Sequence, residues 1–290
     1  MAFDPLKTTG WLAQHLDEPD LRVVDIRGYV KKKDLGEGRQ EAEYLGAREE
    51  YESSHVPGAV YLDWTSDITD PDDPVPAQLA PPERFAALMG TLGITDDTHV
   101  VVYDHAGTQF ATRLWWALTY YGHDRVSVLD GGWKKWTAEG RPSTPEVPSP
   151  GPATFTPRPR PEWRTTAEGV LAAGQNGDAL ILDARDAGQY TGAITRGSGR
   201  PGHILGAAHL HADSLLQEGG TFRPKEELEQ KLREAGVPED RAEPVVAYCN
   251  GGVAATVPLF AMHRLGYKNL ANYDGSWNEW GVREDLPTEK

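Results

Sequence analysis

The sequence repeats itself, and this duplication constrains the fold more than any other feature of the chain. Four fragments recur in the same order. In the first half they read Val23-Val24-Asp25-Ile26-Arg27, His55-Val56-Pro57-Gly58-Ala59, Val100-Val101-Val102-Tyr103-Asp104 and Val128-Leu129-Asp130-Gly131-Gly132-Trp133. In the second half they read Ile181-Leu182-Asp183-Ala184-Arg185, His203-Ile204-Leu205-Gly206-Ala207, Val245-Val246-Ala247-Tyr248-Cys249 and Asn272-Tyr273-Asp274-Gly275-Ser276-Trp277. The offset shrinks from 158 residues at the first fragment (23 to 181) to 144 at the last (128 to 272), so loop lengths differ while the framework persists.

A chain of 290 residues has room for two such units, each near the usual domain size of about 100 to 150 residues. Between them lies a proline-rich stretch, whose prolines lack an amide donor and favour extended backbone. This places a first domain at residues 1–143, a linker at 144–163 and a second domain at 164–290. Short apolar runs such as Val100 to Tyr103 and Val245 to Tyr248 show no alternation, as expected of parallel strands covered on both faces. Pro82 to Met89 and Lys225 to Leu232 space apolar residues three or four apart, with Gly93 and Gly236 following as stops. Each half therefore reads as an α/β unit, a mostly parallel sheet flanked by helices.

The two halves differ where chemistry is expected. The strand Val245 to Tyr248 runs directly into Cys249-Asn250-Gly251-Gly252-Val253-Ala254 and then into a helix from about Ala255 that breaks near Gly266. Glycines let such a loop close tightly, so that several amide N–H groups point at one atom with a helix N-terminus behind them. That cradle favours an anion, and the reactive form of cysteine is its thiolate. A free cysteine is more often a small buried hydrophobe. Here the only cysteine of the chain stands at the C-terminal end of a strand, where open α/β sheets bind ligands, and this favours the nucleophilic reading.

Composition narrows the alternatives. A formal net charge of −15 argues against sequence-independent nucleic-acid binding, which draws on Lys and Arg neutralising phosphates. No stretch approaches the roughly 18 uninterrupted apolar residues of a membrane span. Residues Met1 to Lys7 lack the basic start and apolar stretch of a signal peptide, and a lone thiol suits a reducing compartment, so a cytoplasmic location is expected.

On these residues the chain resembles the tandem-domain rhodanese family, the thiosulfate and 3-mercaptopyruvate sulfurtransferases. The resemblance rests on His55 to Ala59 and Val126 to Gly132 in the first copy. In the second it rests on Gly202-His203-Ile204, the cysteine loop and Tyr273 to Trp277. It implies an inactive first domain, with Asp104 at the cysteine position, and an active second one. It implies that Cys249 takes a sulfane sulfur from a small donor as a persulfide and passes it to cyanide or a thiol, with no metal or organic cofactor. The amides of Asn250, Gly251, Gly252, Val253 and Ala254 would hold the thiolate and the persulfide anion.

Further site residues follow from the same resemblance. Arg196, seven residues before His203, matches a substrate-binding arginine, whereas Gln189 stands where a second is usual. Arg185 and Arg200 are weaker candidates for anion binding, with a structural ion pair to Asp183 and a solvated loop as their ordinary fates. His55 matches a first-domain histidine facing the cysteine across the cleft, although a His-x-Pro-Gly turn can simply satisfy backbone groups. His203 reads as structural, and Trp115, Trp116, Trp133, Trp136, Trp277 and Trp280 read as core and interface packing. The loop departs from both branches of the family: Asn250, Gly251 and Gly252 carry no charge, and Gly251 stands at the position of the mercaptopyruvate-type serine.

Two rival functions remain distinguishable. A cysteine phosphatase needs an arginine six residues after the nucleophile, and that place holds Ala255. A non-catalytic persulfide carrier loaded by a partner protein would use the same Cys249 species and differs only in turnover.

Overall fold

The β-branched runs of both halves form strands in the computed structural model, which describes residues 4–105, 108–197 and 200–290. The first half contains β1 (Leu6–Lys7), β2 (Leu21–Asp25), β3 (Gly28–Gly36), β4 (Arg39–Gly46), β5 (Val60–Tyr61), β6 (His99–Tyr103) and β7 (Val126–Leu129). The second contains β8 (Arg164–Thr165), β9 (Leu180–Asp183), β10 (Thr195–Arg196), β11 (His203–Ile204), β12 (Ala208–His209), β13 (Val245–Tyr248), β14 (Leu270–Tyr273) and β15 (Thr288–Glu289).

Two five-stranded sheets result, ordered β1-β7-β6-β2-β5 and β8-β14-β13-β9-β12, so each strand of one has its counterpart at the same place in the other. Every pairing within them is parallel. β6 and β13 hold the middle positions and are buried along their whole length, which accounts for runs without alternation. Asp104 and Cys249 each follow the last residue of a middle strand.

Helices cover the sheets where the spacing predicts them. Pro82–Thr91 and Lys225–Glu234 bury Phe85, Met89, Leu228 and Leu232. Beyond them Gly93 (φ +70°) and Gly236 (φ +80°) take the left-handed conformation that ends a helix. Residues 145–160 carry neither helix nor strand. They are pinned to the first half by the amides of Arg158 and Arg160, which donate to the carbonyls of Tyr121 and Tyr120 at 2.8 Å each.

The helices that follow the middle strands, Gln109–Tyr120 and Thr256–Arg264, pack on each other across the two halves. Each has its own sheet on one side and the other helix on the opposite side, so each is apolar nearly all round. Trp115 meets Phe260 edge-on at 4.9 Å, and the Thr112 and Thr256 hydroxyls hydrogen-bond at 2.8 Å. One continuous hydrophobic core therefore runs through both copies. Trp115, Trp116, Trp136, Trp277 and Trp280 are fully buried, and Trp133 packs at the edge of a core.

The hairpin β3–β4 breaks the symmetry. Asp25 and His55 are 30 positions apart, whereas Asp183 and His203 are 20 apart, and the longer segment folds into this antiparallel arm. It reaches the second half, where β10 joins β4 in parallel and completes a three-stranded sheet from both copies. No helix among the described residues is long and apolar enough to cross a membrane.

Candidate active site at the cysteine loop

Because β13 lies between β9 and β14, its C-terminus delivers Cys249 to the centre of the sheet edge, where the thiol is 3% exposed. The loop that follows is held from beneath. Ser276 Oγ accepts hydrogen bonds from the amides of Cys249 (3.1 Å) and Gly252 (3.0 Å) and donates to Tyr273 O at 2.7 Å. Ser276 sits at φ +50°, a conformation few non-glycine residues adopt, and the first copy has Gly132 (φ +51°) at that place. A side chain at Gly252 would lie 2.7 Å from Asp274 Oδ1, so only glycine fits there. The Gly252 carbonyl accepts from Asn272 Nδ2 at 2.9 Å and from Arg113 Nη1 at 3.2 Å.

Arg113 belongs to the first copy. It is 2% exposed, pairs with Asp274 at 2.5 Å, donates to the carbonyl of Ala77 at 2.9 Å and lies 4.5 Å from the centre of the Trp116 ring. Asp274 also receives Arg164 at 3.0 Å and the Leu79 amide at 2.9 Å. The turn under the cysteine is thus braced from the first copy by one charge pair, Arg113 with Asp274, and one amide, that of Leu79.

Of the five amides expected to form a cradle, the structure redirects one: the N–H of Gly252 turns down to Ser276. Those of Asn250, Gly251, Val253 and Ala254 meet no protein acceptor among the described residues. The first copy displays what this turn does with an anion. Asp104 occupies the cysteine position, with its carbonyl accepting from the Trp133 amide as that of Cys249 accepts from Trp277. Its Oδ2 accepts from the amides of Phe110 at 3.0 Å and Ala111 at 3.2 Å. Burial pushes its carboxyl up to about 6, against the downward pull of the amides of Ala111, Phe110 and Thr108.

Cys249 opens on a cavity of ≈ 170 Å³ built from both copies. Val30, Lys32 and Gln109 line it from the first. Ala184, Arg185, Asp186, Gln189, Arg196, His211, Ala212, Asp213, Asn250 and Ala254 line it from the second. Arg196 is the arginine whose charge is available there: its Nε and Nη2 are buried and have no partner among the described residues. Gln189 is 2% exposed and donates through Nε2 to Asp186 at 2.5 Å, and its Oε1 has no partner among the described residues. No group of three or more His, Cys, Asp or Glu side chains that could hold a metal ion occurs among the described residues.

The other expected substrate contacts are engaged by protein groups. Arg185 touches the cavity, but Nε and Nη2 bind Asp183 at 2.6 to 3.0 Å and Nη2 also reaches Gly202 O at 2.8 Å. Arg27 forms the same pair with Asp25 in the copy without a cysteine, so this ion pair belongs to the shared framework. Arg200 is neither solvated nor at the cavity. It ties the carbonyls of Gly281 (3.0 Å), Leu286 (2.9 Å) and Trp280 to the domain body. His55 is fully buried away from the cleft, with Nδ1 on Tyr51 O at 2.6 Å and Nε2 on Glu146 O at 3.0 Å. His203 repeats this arrangement against Tyr190 O at 2.8 Å, in keeping with a structural role.

Ser276, Arg113 and Asp274 escaped the sequence reading as site residues. The signals were present: a serine where the other copy has glycine, and a lone arginine inside the apolar run Phe110 to Trp116.

Comparison with known proteins identifies the family. The model of the rhodanese-like domain family matches residues 8–139 and again residues 166–282. The chain is similar to 3-mercaptopyruvate sulfurtransferase of Escherichia coli K12, at 34% identity over 96% of this chain and 95% of that protein. It is also similar to thiosulfate sulfurtransferase of Cricetulus griseus, at 36% identity over 95% and 91%. The sulfur carrier protein TtuD of Thermus thermophilus is 32% identical over 98% and 96%. The crystal structure of SseA, a 3-mercaptopyruvate sulfotransferase from Escherichia coli, superposes with a TM-score of 0.83 at 31% identity, covering 95% of this chain and 99% of that one.

Proposed function

The chain belongs to the rhodanese family and is a sulfurtransferase, and from that premise we propose that it carries the transferred sulfur on Cys249, taken from a small anionic donor. The donor is thiosulfate or 3-mercaptopyruvate, the substrates in the names of its relatives. The Cys249 thiolate attacks the outer sulfur. With thiosulfate, the S–S bond breaks and sulfite leaves with the bonding electrons; with 3-mercaptopyruvate, the C–S bond breaks and pyruvate leaves as its enolate and takes up a proton. Cys249 is left as a persulfide. Cyanide or a thiolate then attacks the outer persulfide sulfur, and the Cys249 thiolate is regenerated as leaving group.

The observation that carries this reading is that one cavity is lined by both Cys249 and Arg196, whose Nε and Nη2 have no partner among the described residues. Buried guanidinium nitrogens without an acceptor are costly unless an anion joins them, which is what a sulfonate or carboxylate donor provides. The amides of Asn250, Gly251, Val253 and Ala254, which meet no acceptor among the described residues, accommodate the negative sulfur, as those of Phe110 and Ala111 accommodate the Asp104 carboxylate.

A second reading, that Cys249 acts as a persulfide carrier, is favoured by the likeness to the Thermus sulfur carrier protein. Turnover separates the two. Sulfur transfer to cyanide is measured from each donor for wild type and Cys249→Ser, with intact mass of the protein after donor alone. Cysteine-dependent turnover and a mass gain of one sulfur are expected. Loading only by a partner desulfurase, with no turnover of either donor, would favour the carrier.

A further inference from the structure

We propose that Lys32, on the hairpin arm of the first domain, is a substrate-binding residue that pairs with the anionic end of the sulfur donor beside Arg196. This rests on the sulfurtransferase reading above and extends it by assigning part of donor recognition to the domain that carries no cysteine.

The strand geometry places Lys32 there. Side chains alternate along β3, so Val30 and Lys32 share the face that lines the Cys249 cavity. Lys31 and Lys33 lie on the other face, opposite Glu43 and Glu41 across the ladder. Lys32 is opposite Ala42, which offers no counter-charge. Arg196 is opposite Gln40, two residues from Ala42, and residues directly opposite in a ladder point to one side. Lys32 and Arg196 therefore project from the same face of the composite sheet, toward Cys249.

The charges of the cavity make Lys32 useful. Arg185 is neutralised by two-point bonding to Asp183, and His211 faces Asp213 at 3.7 Å. Arg196 alone supplies one positive charge, whereas thiosulfate carries two negative charges. Lys32 is half exposed, and its Nζ lies 3.5 Å from Asp186 Oδ2, an oxygen that Gln189 Nε2 already occupies at 2.5 Å. A contact so loose and so exposed is readily exchanged for a donor anion.

The test uses the full-length protein with Lys32→Gln, Lys32→Glu and Lys32→Arg, and with Lys33→Gln as the control on the opposite face. Donor KM and kcat are measured at several salt concentrations, with thermal midpoints recorded for each variant. Lys32→Gln is expected to raise the donor KM about five- to tenfold, as loss of one charge-assisted contact does, with kcat retained. Lys32→Glu should raise it further, Lys32→Arg should restore it, and the salt dependence of KM should flatten in Lys32→Gln. An unchanged KM in both the Gln and Glu variants overturns the assignment while leaving the sulfurtransferase reading intact. So does a fall in kcat and midpoint that arginine does not rescue, since that marks a structural role. If wild type gains no sulfur from either donor and turns over neither, the reading beneath this proposal fails and Lys32 fails with it.

Discussion

Replacing Arg113 by methionine separates the brace under the cysteine loop from the chemistry above it. The side chain is buried, and removing it strips Asp274 of its nearest cation and Gly252 O of one of two donors. Breaking a buried ion pair from one side typically destabilises by about 3 to 5 kcal/mol. Asp274 retains Arg164 at 3.0 Å and the Leu79 amide at 2.9 Å, and methionine keeps most of the packing on Trp116, so the lower end, about 3 kcal/mol, is expected here. For a chain of this size that lowers the thermal midpoint by roughly 6 to 9 °C. In the variant Gly252 keeps Asn272 and Ser276 as its partners among the described residues, and a small displacement of Cys249 should slow persulfide formation about tenfold. Differential scanning fluorimetry and rapid-quench mass spectrometry of sulfur loading read the two effects separately. Combination with Asp274→Asn should be clearly non-additive, because both changes remove the same contact. A midpoint within about 2 °C of wild type together with unchanged loading would refute the reasoning, since neither the ion pair nor its grip on Gly252 would then matter.

The arginines should divide cleanly. Arg196→Gln is expected to raise the donor KM about tenfold while leaving the midpoint unchanged or higher, because it removes a half-buried cation whose buried Nε and Nη2 have no partner among the described residues. Arg185→Gln should instead unfold several degrees earlier, by the loss of a buried pair worth about 3 kcal/mol when broken from one side; the opposite pattern in paired melting and kinetic measurements would reverse the two roles. His55→Ala removes a buried ring that meets the Tyr51 and Glu146 carbonyls and should destabilise by about 1 to 3 kcal/mol with kcat preserved in cyanide turnover; a selective loss of kcat would return His55 to the site. For Asp104, the folded carboxyl is raised from 3.8 to about 6, so the folded state holds the proton more tightly and its contribution to stability is lost as pH rises from about 4 to about 6. At about 1.4 kcal/mol per pH unit this amounts to roughly 3 kcal/mol, and Asp104→Asn should gain that much on wild type between pH 4 and pH 7 in urea melts. Parallel pH profiles for the two proteins would show that the buried carboxylate carries no such penalty.

Much of the fold could be read from the chain because duplication and strand burial leave local marks. The uninterrupted apolar runs at Val100 to Tyr103 and Val245 to Tyr248 reflect two covered faces, and these are the middle strands. Gly93 and Gly236 end helices because their backbone is left-handed. The hairpin arm was harder to see, since Tyr29 to Asp34 is a half-exposed, lysine-rich strand whose value lies in reaching the other half of the chain.

The sequence by itself determined that there are two copies and that only the second carries a thiol. It also determined that this thiol stands in a glycine turn between a buried strand and a helix. Each of these is a matter of residue identity and near spacing. Which cations are available to a substrate was decided by the tertiary structure alone. Arg185, Arg196 and Arg200 are alike as residues and lie close together in sequence, yet one is closed by Asp183 two positions away and one by carbonyls 80 and more positions away. The third lies on a short strand of its own domain that pairs with the hairpin arm of the first, without an acceptor among the described residues. Whether a buried charge is satisfied depends on every group within about 3 Å of it, and those groups come from parts of the chain that only folding brings together.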